Sequence, residues 1–329
     1  MKNIYSAAQK FLQAQIKEIE KRIPKVVAKE PNSLYEPCSY ILESGGKRLR
    51  PLLVLASAKA VGGNHKSAYH AALAIELLHN FTLAHDDIMD NSDLRRGRST
   101  LHKKYDVNTA ILTGDILIGL AFESLLKEKN KNIKSIVSTF TKAIIEICEG
   151  QSLDKDFELR ENVSINDYKK MIYKKTAALF EMSCSIGAQL FTNSTKYIKA
   201  VSVYGKNLGM AFQIQDDLLD IMADEKEFGK SIGTDLLEGK KTFLLISALE
   251  KAGLDDNVSL LKIFRQKGID KNEIEQYKNL YIKLGVVKEA EKEIKNYTHL
   301  ALKSLSSLPD KSGKDLMIWI ANSLISRNR

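Results

Sequence analysis

The sequence predicts an all-α protein built as one bundle of helices. Proline is absent between Leu52 and Leu308, a gap too long for a turn-rich β protein. Apolar residues in this stretch recur with the 3.6-residue period of an α-helix, as in Ala72, Ile75, Leu78 and Phe81. Strict alternation of polar and apolar residues, which indicates strands, is absent over any useful length. No linker rich in proline, glycine or serine divides the chain, so we predict one domain over residues 1–329.

The predicted helices follow one another along the whole chain. The first is amphipathic with charges throughout, and Pro51 suits the first position of the third. Residues 71–84 and 208–221 are apolar nearly all round, which predicts central helices shielded by the others. Residues 251–303 are rich in lysine and glutamate, as expected of peripheral helices. The predicted helices cover residues 3–23, 33–44, 50–62, 66–90, 107–128, 132–150, 165–190, 195–223, 240–252, 257–267, 271–293 and 310–327.

The net positive charge of the chain indicates an anionic ligand but does not show which class of anion it is. Of 329 residues, 44% are apolar and 28% are charged, so a large core is possible and disorder is not indicated. The formal net charge is +9, from 50 lysines and arginines against 41 aspartates and glutamates. Such an excess suits nucleic acid, an anionic membrane surface or a phosphorylated small molecule.

Cysteine usage and hydropathy favour a cytosolic protein. Cys38, Cys148 and Cys184 are scattered and odd in number, which indicates small core residues in a reducing compartment. The charged first helix does not resemble a signal peptide. The longest apolar run, 110–122, is interrupted by Gly114 and Asp115, so no membrane span is predicted.

Two acidic blocks dominate the sequence. FTLAHDDIMD at residues 81–90 and FQIQDDLLD at residues 212–220 each place aspartates at positions i, i+1 and i+4 after an apolar helical run. Residues i and i+4 share one helical face, and residue i+1 lies at its shoulder. The aspartates of the first triad are Asp86, Asp87 and Asp90, and those of the second are Asp216, Asp217 and Asp220.

These triads indicate a bound cation. Three neighbouring carboxylates repel one another, and the first triad also lies at the negative end of a helix dipole. Carboxylate oxygens suit a hard ion such as Mg²⁺, which also favours phosphate oxygens as ligands. A solvated acidic face would account for one triad, but two triads on apolar helices favour the metal.

Basic residues surround the first triad. Gly45-Gly46-Lys47-Arg48-Leu49-Arg50-Pro51 precedes a helix N-terminus, where it would make an anion cradle, although a helix turn with solvated basic residues is the simpler alternative. His79 lies two helical turns before Asp86 on the same face, where a core histidine is the alternative. Arg95 and Arg96 follow the triad and could pair with its acids. If metal occupies the acids, these arginines can meet phosphate oxygens.

Polar residues within apolar helices mark a second group. Glu149-Gly150-Gln151 and Asp154 lie at the end of a predicted helix, and Lys175-Thr176 lies inside another, where a cation requires a polar cavity. Gln213 shares a face with Asp217 and Asp220. The glycine- and lysine-rich segments 228–235 and 239–242 lack the spacing and the preceding strand of a nucleotide-binding loop, so we reject that interpretation.

Seven motifs of this chain resemble, in order and approximate spacing, those of the trans-type polyprenyl diphosphate synthases. They are GGKRLRP, HNFTLAHDDIMD, RRG, EGQSLD, KTAALF, FQIQDDLLD and GKSIGTDLLEGKKT. The resemblance extends over about residues 45–242 and is highly specific. It implies an all-helical fold around a deep central apolar cavity, usually as a homodimer. It also implies a reaction, the head-to-tail condensation of isopentenyl diphosphate with an allylic diphosphate.

The resemblance also implies roles for individual residues. Mg²⁺ ions would be held by Asp86, Asp90 and Asp216, with Asp87, Asp217 and Asp220 in support, and would stabilise the departing diphosphate. The allylic diphosphate would be bound by Arg95, Lys175, Lys230 and Lys240, with Thr176 and Gln213 lining the reacting carbons. Isopentenyl diphosphate would be bound by Lys47, Arg50, His79 and Arg96. Two diphosphate substrates account for the positive charge, and nucleic acid is not expected as a partner because the informative basic residues bracket acids instead of forming a stripe.

Two features concern product length. Phe81 lies five residues before Asp86, and DDIMD has no insertion, which resembles the short-chain geranylgeranyl diphosphate synthases of archaeal type. The cavity-facing role of Phe81 is implied only by this resemblance, because helical geometry puts it about 140° around from Asp86. An ordinary core phenylalanine is the alternative. Farnesyl or longer polyprenyl products remain the alternatives for the enzyme.

Three other functions are weighed against this one. A class I terpene cyclase would lack the second DDxxD block and the Lys47/Arg50 site, and a squalene- or phytoene-type synthase would have wider acid spacing. A non-catalytic partner of another prenyl synthase tends to lose an acidic motif, whereas both are intact here. The sequence therefore favours an active prenyltransferase.

Overall fold

Helices make up nearly all of the regular structure in the residues that the computed structural model describes, which are 2–223, 232–265 and 268–325. This confirms the predicted all-α fold. The helices of the first half are α1 Lys2–Val27, α2 Asn32–Leu42, α3 Leu49–Ala60, α4 Tyr69–Met89, α5 Leu101–Lys104, α6 Val107–Leu126 and α7 Ile133–Leu159. Those of the second half are α8 Ile165–Ile172, α9 Ala178–Gln189, α10 Thr195–Met222, α11 Thr234–Leu237, α12 Phe243–Lys251, α13 Leu254–Arg265, α14 Ile274–Lys283, α15 Val286–Ser304 and α16 Lys311–Ile325.

Backbone contacts divide the chain into two compact units. The first contains Met1–Thr141, Met182–Ser202 and Ser307–Trp319, and the second contains Lys142–Glu181, Val203–Ser306 and Ile320–Arg329. The single domain and the central cavity of the sequence analysis stay predictions.

Helix α4 is central to the first unit. Its residues 71–78 are all buried, and it packs along the length of α6. Two glycines let other helices approach closely. A Cβ on Gly187 would lie 2.3 Å from the carbonyl oxygen of Val54, and one on Gly313 would lie 2.3 Å from the amide nitrogen of Ala60. The predicted central position of residues 71–84 is therefore confirmed over its first half.

The second unit has its core around α8, α10, α12 and the tyrosines of α14. Phe243, Tyr168, Tyr277 and Tyr281 are fully buried within it. Helix α10 packs closely at Gly209 against Ala177, the residue before α9, because a Cβ on Gly209 would lie 2.5 Å from the Cα of Ala177. Residues of 208–221 form part of this core, as predicted.

Three sequence predictions of secondary structure are wrong in detail. Helix α7 continues beyond Gly150 to Leu159, because this glycine serves packing instead of ending the helix. The predicted helix 165–190 is interrupted by a π-turn at Tyr173–Ala177. The predicted helix 271–293 ends before Gly285, whose φ of 73° lets the chain turn into α15.

The structure also contains a short β-hairpin, which the sequence analysis did not predict. Strands β1 (Leu94–Arg95) and β2 (Arg98–Ser99) pair antiparallel through a tight turn. Gly97 in that turn has a φ of 74°.

Helix α6 is the one helix in the described ranges that is long and apolar enough to cross a membrane. About half of its most apolar window, 44%, is buried inside the protein. Core helices of globular proteins share these properties.

Candidate active site

The first acidic triad lies at the end of α4. Asp86 and Asp87 are in the last turn of the helix, and Asp90 caps it, with its N–H donating to the carbonyl oxygen of Asp86 over 2.8 Å. The Asp87 side chain is buried, with 3% of the residue exposed, and its Oδ1 accepts a 2.6 Å hydrogen bond from Nε of Arg95. Burial raises the pKa of Asp87, and the positive charge of Arg95 opposes the shift. Asp86 and Asp90 are more exposed than Asp87.

The second triad lies at the end of α10 and repeats this arrangement. Asp217 is 6% exposed, and its Oδ2 accepts hydrogen bonds from Oη of Tyr168 at 2.6 Å and from the N–H of Phe243 at 3.0 Å. Its Oδ1 accepts a 3.0 Å bond from Nε2 of Gln213. Burial raises the pKa of Asp217 to about 6, and these three hydrogen bonds oppose the shift.

The two triads therefore share the same arrangement of buried and accessible aspartates. In each, the middle aspartate is buried and hydrogen-bonded by residues of other segments, so it holds the end of its helix in place. The outer aspartates are more accessible, since Asp216 is exposed and Asp86, Asp90 and Asp220 are half-buried. The outer carboxylates are therefore the ones that a ligand can reach.

The β-hairpin brings one arginine to the first triad and a second to the loop before α3. Arg95 binds Asp87, as described above. Arg96 has a left-handed backbone (φ 53°), and its Nη1 donates to the carbonyl oxygen of Gly45 and, over 3.3 Å, to Oγ of Ser44. A Cβ on Gly46 would lie 2.8 Å from Nη1 of Arg96, so a side chain there would displace the guanidinium, and the φ of 133° at this position favours glycine.

Arg50 and His79 form a half-buried pair beside this loop. Nη1 of Arg50 lies 2.9 Å from Nε2 of His79. Because a guanidinium can only donate, Nε2 is the acceptor and the proton of the neutral imidazole is on Nδ1. Burial of the imidazole, together with Arg50 and the other nearby arginines, lowers the pKa of His79 well below its usual value. His79 Nδ1 is buried and has no hydrogen-bond partner among the described residues.

The second unit contains a polar cavity of about 170 Å³ at the second triad. The π-turn places Lys175 and Thr176 in its wall. Nζ of Lys175 lies 2.5 Å from Oδ2 of Asp154, and Oγ1 of Thr176 donates over 2.8 Å to Oε1 of Gln213. Because Gln213 also donates to Asp217, a chain of hydrogen bonds connects Thr176 to the second triad.

Glycine at position 150 is what allows this wall to form. A Cβ there would lie 2.2 Å from the amide nitrogen of Lys175, so α7 and the π-turn meet backbone to backbone. The turn is the local feature that directs both Lys175 and Thr176 into one cavity, since π-turns shift the side chains that follow them.

Lys240 and Asp235 close the same cavity. Nζ of Lys240 lies 2.7 Å from Oε2 of Glu238 and 3.8 Å from Oδ1 of Asp235. The N–H of Asp235 donates to Oδ2 of Asp220 over 3.0 Å. Burial and the neighbouring carboxylates raise the pKa of Asp235 well above its usual value.

The remaining predicted residues are Lys47, Lys230 and Phe81. Lys230 lies outside the described residues. Lys47 is exposed in the loop before α3. Phe81 is half-buried on α4, with its ring edge-on to that of His85 at a centroid distance of 4.8 Å.

Sequence reasoning missed the contribution of Tyr168. Its position in the pattern is that of an apolar helical residue, and its ring is indeed core, but its hydroxyl reaches a carboxylate 49 residues away. The sequence did offer one indication of this contact. A tyrosine on the apolar face of a helix is expected to be buried, and a buried hydroxyl needs a hydrogen-bond partner.

The carboxylate oxygens of each triad are donors of the type that a hard divalent cation prefers. Within the described ranges, no three carboxylate, imidazole or thiol side chains are arranged as a complete metal site. Mg²⁺ does not need one, because it binds through one or two carboxylates and takes its other ligands from water and phosphate. Each triad offers such carboxylates: Asp86 and Asp90 lie one helical turn apart in the first triad, and Asp216 is exposed in the second.

The chain is similar to known proteins in both sequence and structure. The family model described as polyprenyl synthetase matches residues 31–281. The chain is 40% identical over 301 residues to a geranylgeranyl pyrophosphate synthase of Geoglobus acetivorans, which covers 91% of this chain and 92% of that protein. The crystal structure of a geranylgeranyl pyrophosphate synthetase from Pyrococcus horikoshii is similar with a TM-score of 0.92 and 37% identity, over 99% of this chain and 98% of that one.

A more distant structure is informative about ligands. The polyprenyl synthase from Caulobacter crescentus, in complex with calcium and isoprenyl diphosphate, is similar with a TM-score of 0.90 and 26% identity, over 99% of this chain and 98% of that one. With the model match covering most of the sequence and the Geoglobus enzyme aligned along nearly its whole length, the chain belongs to the polyprenyl synthetase family, a family of prenyltransferases.

Proposed function

We propose that this prenyltransferase condenses isopentenyl diphosphate head-to-tail with allylic diphosphates and releases geranylgeranyl diphosphate as its main, all-trans product. The observation that supports it most is the pair of acidic triads in which the middle aspartate is fixed and the outer ones are more accessible. The names of the Geoglobus and Pyrococcus relatives support the length of the product.

The outer aspartates are proposed to bind Mg²⁺ together with the allylic diphosphate. Asp86, Asp90 and Asp216 would be its ligands, with Asp87, Asp217 and Asp220 in support. When bound, the metal neutralises the negative charge that develops on the departing diphosphate. The calcium and isoprenyl diphosphate in the Caulobacter structure support a divalent cation for the family's chemistry.

Cationic side chains divide between the two substrates. Arg95, Lys175 and Lys240, with Lys230, bind the allylic diphosphate, and Thr176 and Gln213 line the reacting carbons. Lys47, Arg50, Arg96 and Nδ1–H of His79 bind isopentenyl diphosphate. Its double bond attacks the allylic cation, and the departing pyrophosphate is the expected acceptor of the proton that is then lost, since no side chain is an obvious base.

The enzyme is proposed to act as a homodimer in the cytosol, without a transmembrane segment and without nucleic acid. Helix α6 supports the dimer, because Val107, Ile111 and Leu112 expose 47%, 40% and 57% of their surface on a strongly apolar helix. A second copy of α6 would cover this face. Light scattering of the purified protein at several concentrations tests it, and a monomer throughout would contradict it.

Product analysis tests the reaction. Purified protein is incubated with isopentenyl diphosphate, Mg²⁺ and each allylic starter, and the products are sized. A twenty-carbon product is expected, whereas a fifteen-carbon or longer product would support the farnesyl or longer-chain alternatives. No product with any starter would favour a non-catalytic partner subunit.

Substrate-specific variants test the division of the cations. Lys47→Ala and Arg50→Ala are expected to raise KM mainly for isopentenyl diphosphate, and Lys230→Ala and Lys240→Ala mainly for the allylic substrate. Equal shifts of both Michaelis constants in all four variants would show that the two-pocket assignment is wrong.

A further inference from the structure

Arg48 has an unusual backbone for its position. It lies in the loop between α2 and α3 and has a left-handed conformation (φ 46°, ψ 35°), which is unfavourable for a residue with a Cβ. It is also buried, with only 5% of its surface exposed. Such a conformation persists only where the surroundings hold it in place.

Two strong hydrogen bonds hold the Arg48 side chain. Nη1 donates over 2.6 Å to Oε1 of Glu76, and Nη2 donates over 2.6 Å to the carbonyl oxygen of Leu42. Glu76 is itself only 2% exposed, and its Oε1 also accepts a 3.1 Å bond from Nδ2 of Asn80. The guanidinium therefore ties the loop both to the end of α2 and to the middle of α4.

This buried pair lies beside the residues proposed to bind isopentenyl diphosphate. Arg50, two residues after Arg48, bonds to His79, which is three residues after Glu76 on α4. The loop and the helix are thus connected at two adjacent points. Between them, the left-handed residue turns the chain so that Lys47 is exposed while the Arg50 side chain is directed inward to His79.

Glu76 also affects the charge of its surroundings. Burial lowers the pKa of Arg50 to about 10, and the negative charge of Glu76 opposes this shift. The same carboxylate opposes the lowering of the pKa of Arg96 by burial. The carboxylate of Glu76 therefore stabilises the positive charge of three arginines of the first unit, Arg48 through a hydrogen bond and Arg50 and Arg96 through its negative charge.

We propose that Arg48 and Glu76 are positioning residues for isopentenyl diphosphate, and that their pairing fixes the left-handed loop that sets Lys47 and Arg50 apart. The inference rests on the proposed function for the identity of the ligand. It adds a role for two side chains that touch no substrate. Without the pair, residue 48 can relax to an ordinary conformation, and the cations on either side of it then change their spacing.

Two simpler roles make different predictions. If the pair only stabilised the fold, a well-packed apolar replacement would restore binding together with stability. If Glu76 acted only through its charge, its removal would raise the positive potential and tighten the binding of a diphosphate.

The test is the double variant Arg48→Met/Glu76→Met. Each single variant leaves a buried charge without its partner, which is strongly destabilising, whereas replacing both charges by apolar side chains is often neutral. We expect the double variant to melt within about 5 °C of the parent. Its KM for isopentenyl diphosphate should rise about tenfold or more, while its KM for the allylic diphosphate changes less than about twofold.

Glu128→Gln is the matched control. Glu128 is a buried carboxylate that also binds α4, because its Oε1 accepts a 2.9 Å hydrogen bond from the N–H of Ala71 at the other end of the helix. Its replacement should leave both Michaelis constants unchanged. If the double variant fails to fold, Arg48→Lys provides the same test, since an ammonium keeps the charge but cannot bridge Glu76 and Leu42 as the fork does.

Calorimetry with isopentenyl diphosphate alone separates this inference from the proposed function. Weaker binding by the double variant than by the parent and by Glu128→Gln supports the pair, even if turnover is not observed. Parent-like or tighter binding by the double variant, or equal rises of both Michaelis constants, overturns it. Failure of the parent to bind or condense the substrate would overturn both.

Discussion

The hydroxyl of Tyr168 donates a 2.6 Å hydrogen bond to Oδ2 of Asp217, deep in the second unit. Both groups are almost completely buried, with 1% and 6% of the residues exposed. A tyrosine hydroxyl that bonds a carboxylate has its own pKa raised, here by burial first and by Asp217 next, so it stays a donor at every relevant pH. The bond connects α8 to α10 at the point where the second triad begins.

Tyr168→Phe is expected to lower the free energy of unfolding by about 1–3 kcal/mol, because a buried carboxylate loses a donor while the ring stays in place. Denaturant unfolding followed by circular dichroism measures it. The control is Tyr277→Phe, a residue with only 2% of its surface exposed, whose hydroxyl donates to the neutral carbonyl oxygen of Ser259 over 3.0 Å. A smaller loss is expected there, and a Tyr168→Phe loss no larger than the control would argue against a special role for this bond.

The middle and outer aspartates are expected to respond differently to substitution. Asp86→Ala and Asp216→Ala should reduce turnover by roughly two orders of magnitude or more while leaving the helical spectrum and the unfolding curve nearly unchanged. Asp217→Ala should also lower the free energy of unfolding by about 1–3 kcal/mol, since three donors then lose their acceptor. Steady-state kinetics and denaturant unfolding on the same samples measure both effects. Near-normal turnover of either outer variant, or in excess chelator, would contradict the metal assignment.

His79 predicts a pH dependence of stability. The folded protein keeps this imidazole neutral, whereas the unfolded chain takes up a proton with an ordinary pKa of about 6.5. The unfolded state then binds more protons below that pH, so the contribution of His79 to stability is full above it and is lost as the pH falls. Between pH 7 and pH 5 the parent should lose about 1–2 kcal/mol more than His79→Gln does. Unfolding curves at half-unit pH steps give the difference, and parallel pH profiles for the two proteins would mean that His79 is charged in the folded state.

Phe81 is expected to limit the length of the product. The growing chain is proposed to run along α4 from the acidic triad, and five residues correspond to about 7–8 Å of helix rise. Because that is shorter than an extended geranylgeranyl chain, Phe81 would deflect the tail instead of meeting its tip. Phe81→Ala should therefore yield longer products than the parent, measured by chromatography of the dephosphorylated alcohols. Leu126→Ala, on an exposed part of α6, is the control, and an unchanged product distribution for Phe81→Ala would place the determinant of length elsewhere.

Most of the helices could be predicted from the sequence alone, and the sequence also indicated which residues are candidates for the site. Apolar periodicity depends only on local spacing, so α4 and α10 could be predicted, and the spacing of the aspartates within those helices was enough to indicate a metal. Local breaks were harder to predict. Gly150 and Gly285 look alike in the sequence, because each is a glycine within a helical pattern. In the structure Gly150 lies inside α7 and Gly285 lies between two helices, because the role of each depends on its tertiary surroundings.

The tertiary structure decided which aspartate of each triad is buried and hydrogen-bonded. DDIMD and DDLLD each contain three similar carboxylates, and only the fold brings Arg95 to Asp87 and Tyr168 and Phe243 to Asp217. Two of the three partners of Asp217 come from positions 49 and 26 residues away, beyond the reach of helical spacing. The same holds for Arg48, which looks like a solvated cation in a basic loop but is buried against Glu76, 28 residues further on. Burial removes a charge from water and makes its hydrogen-bond partners decisive, and those partners are chosen by packing between distant segments.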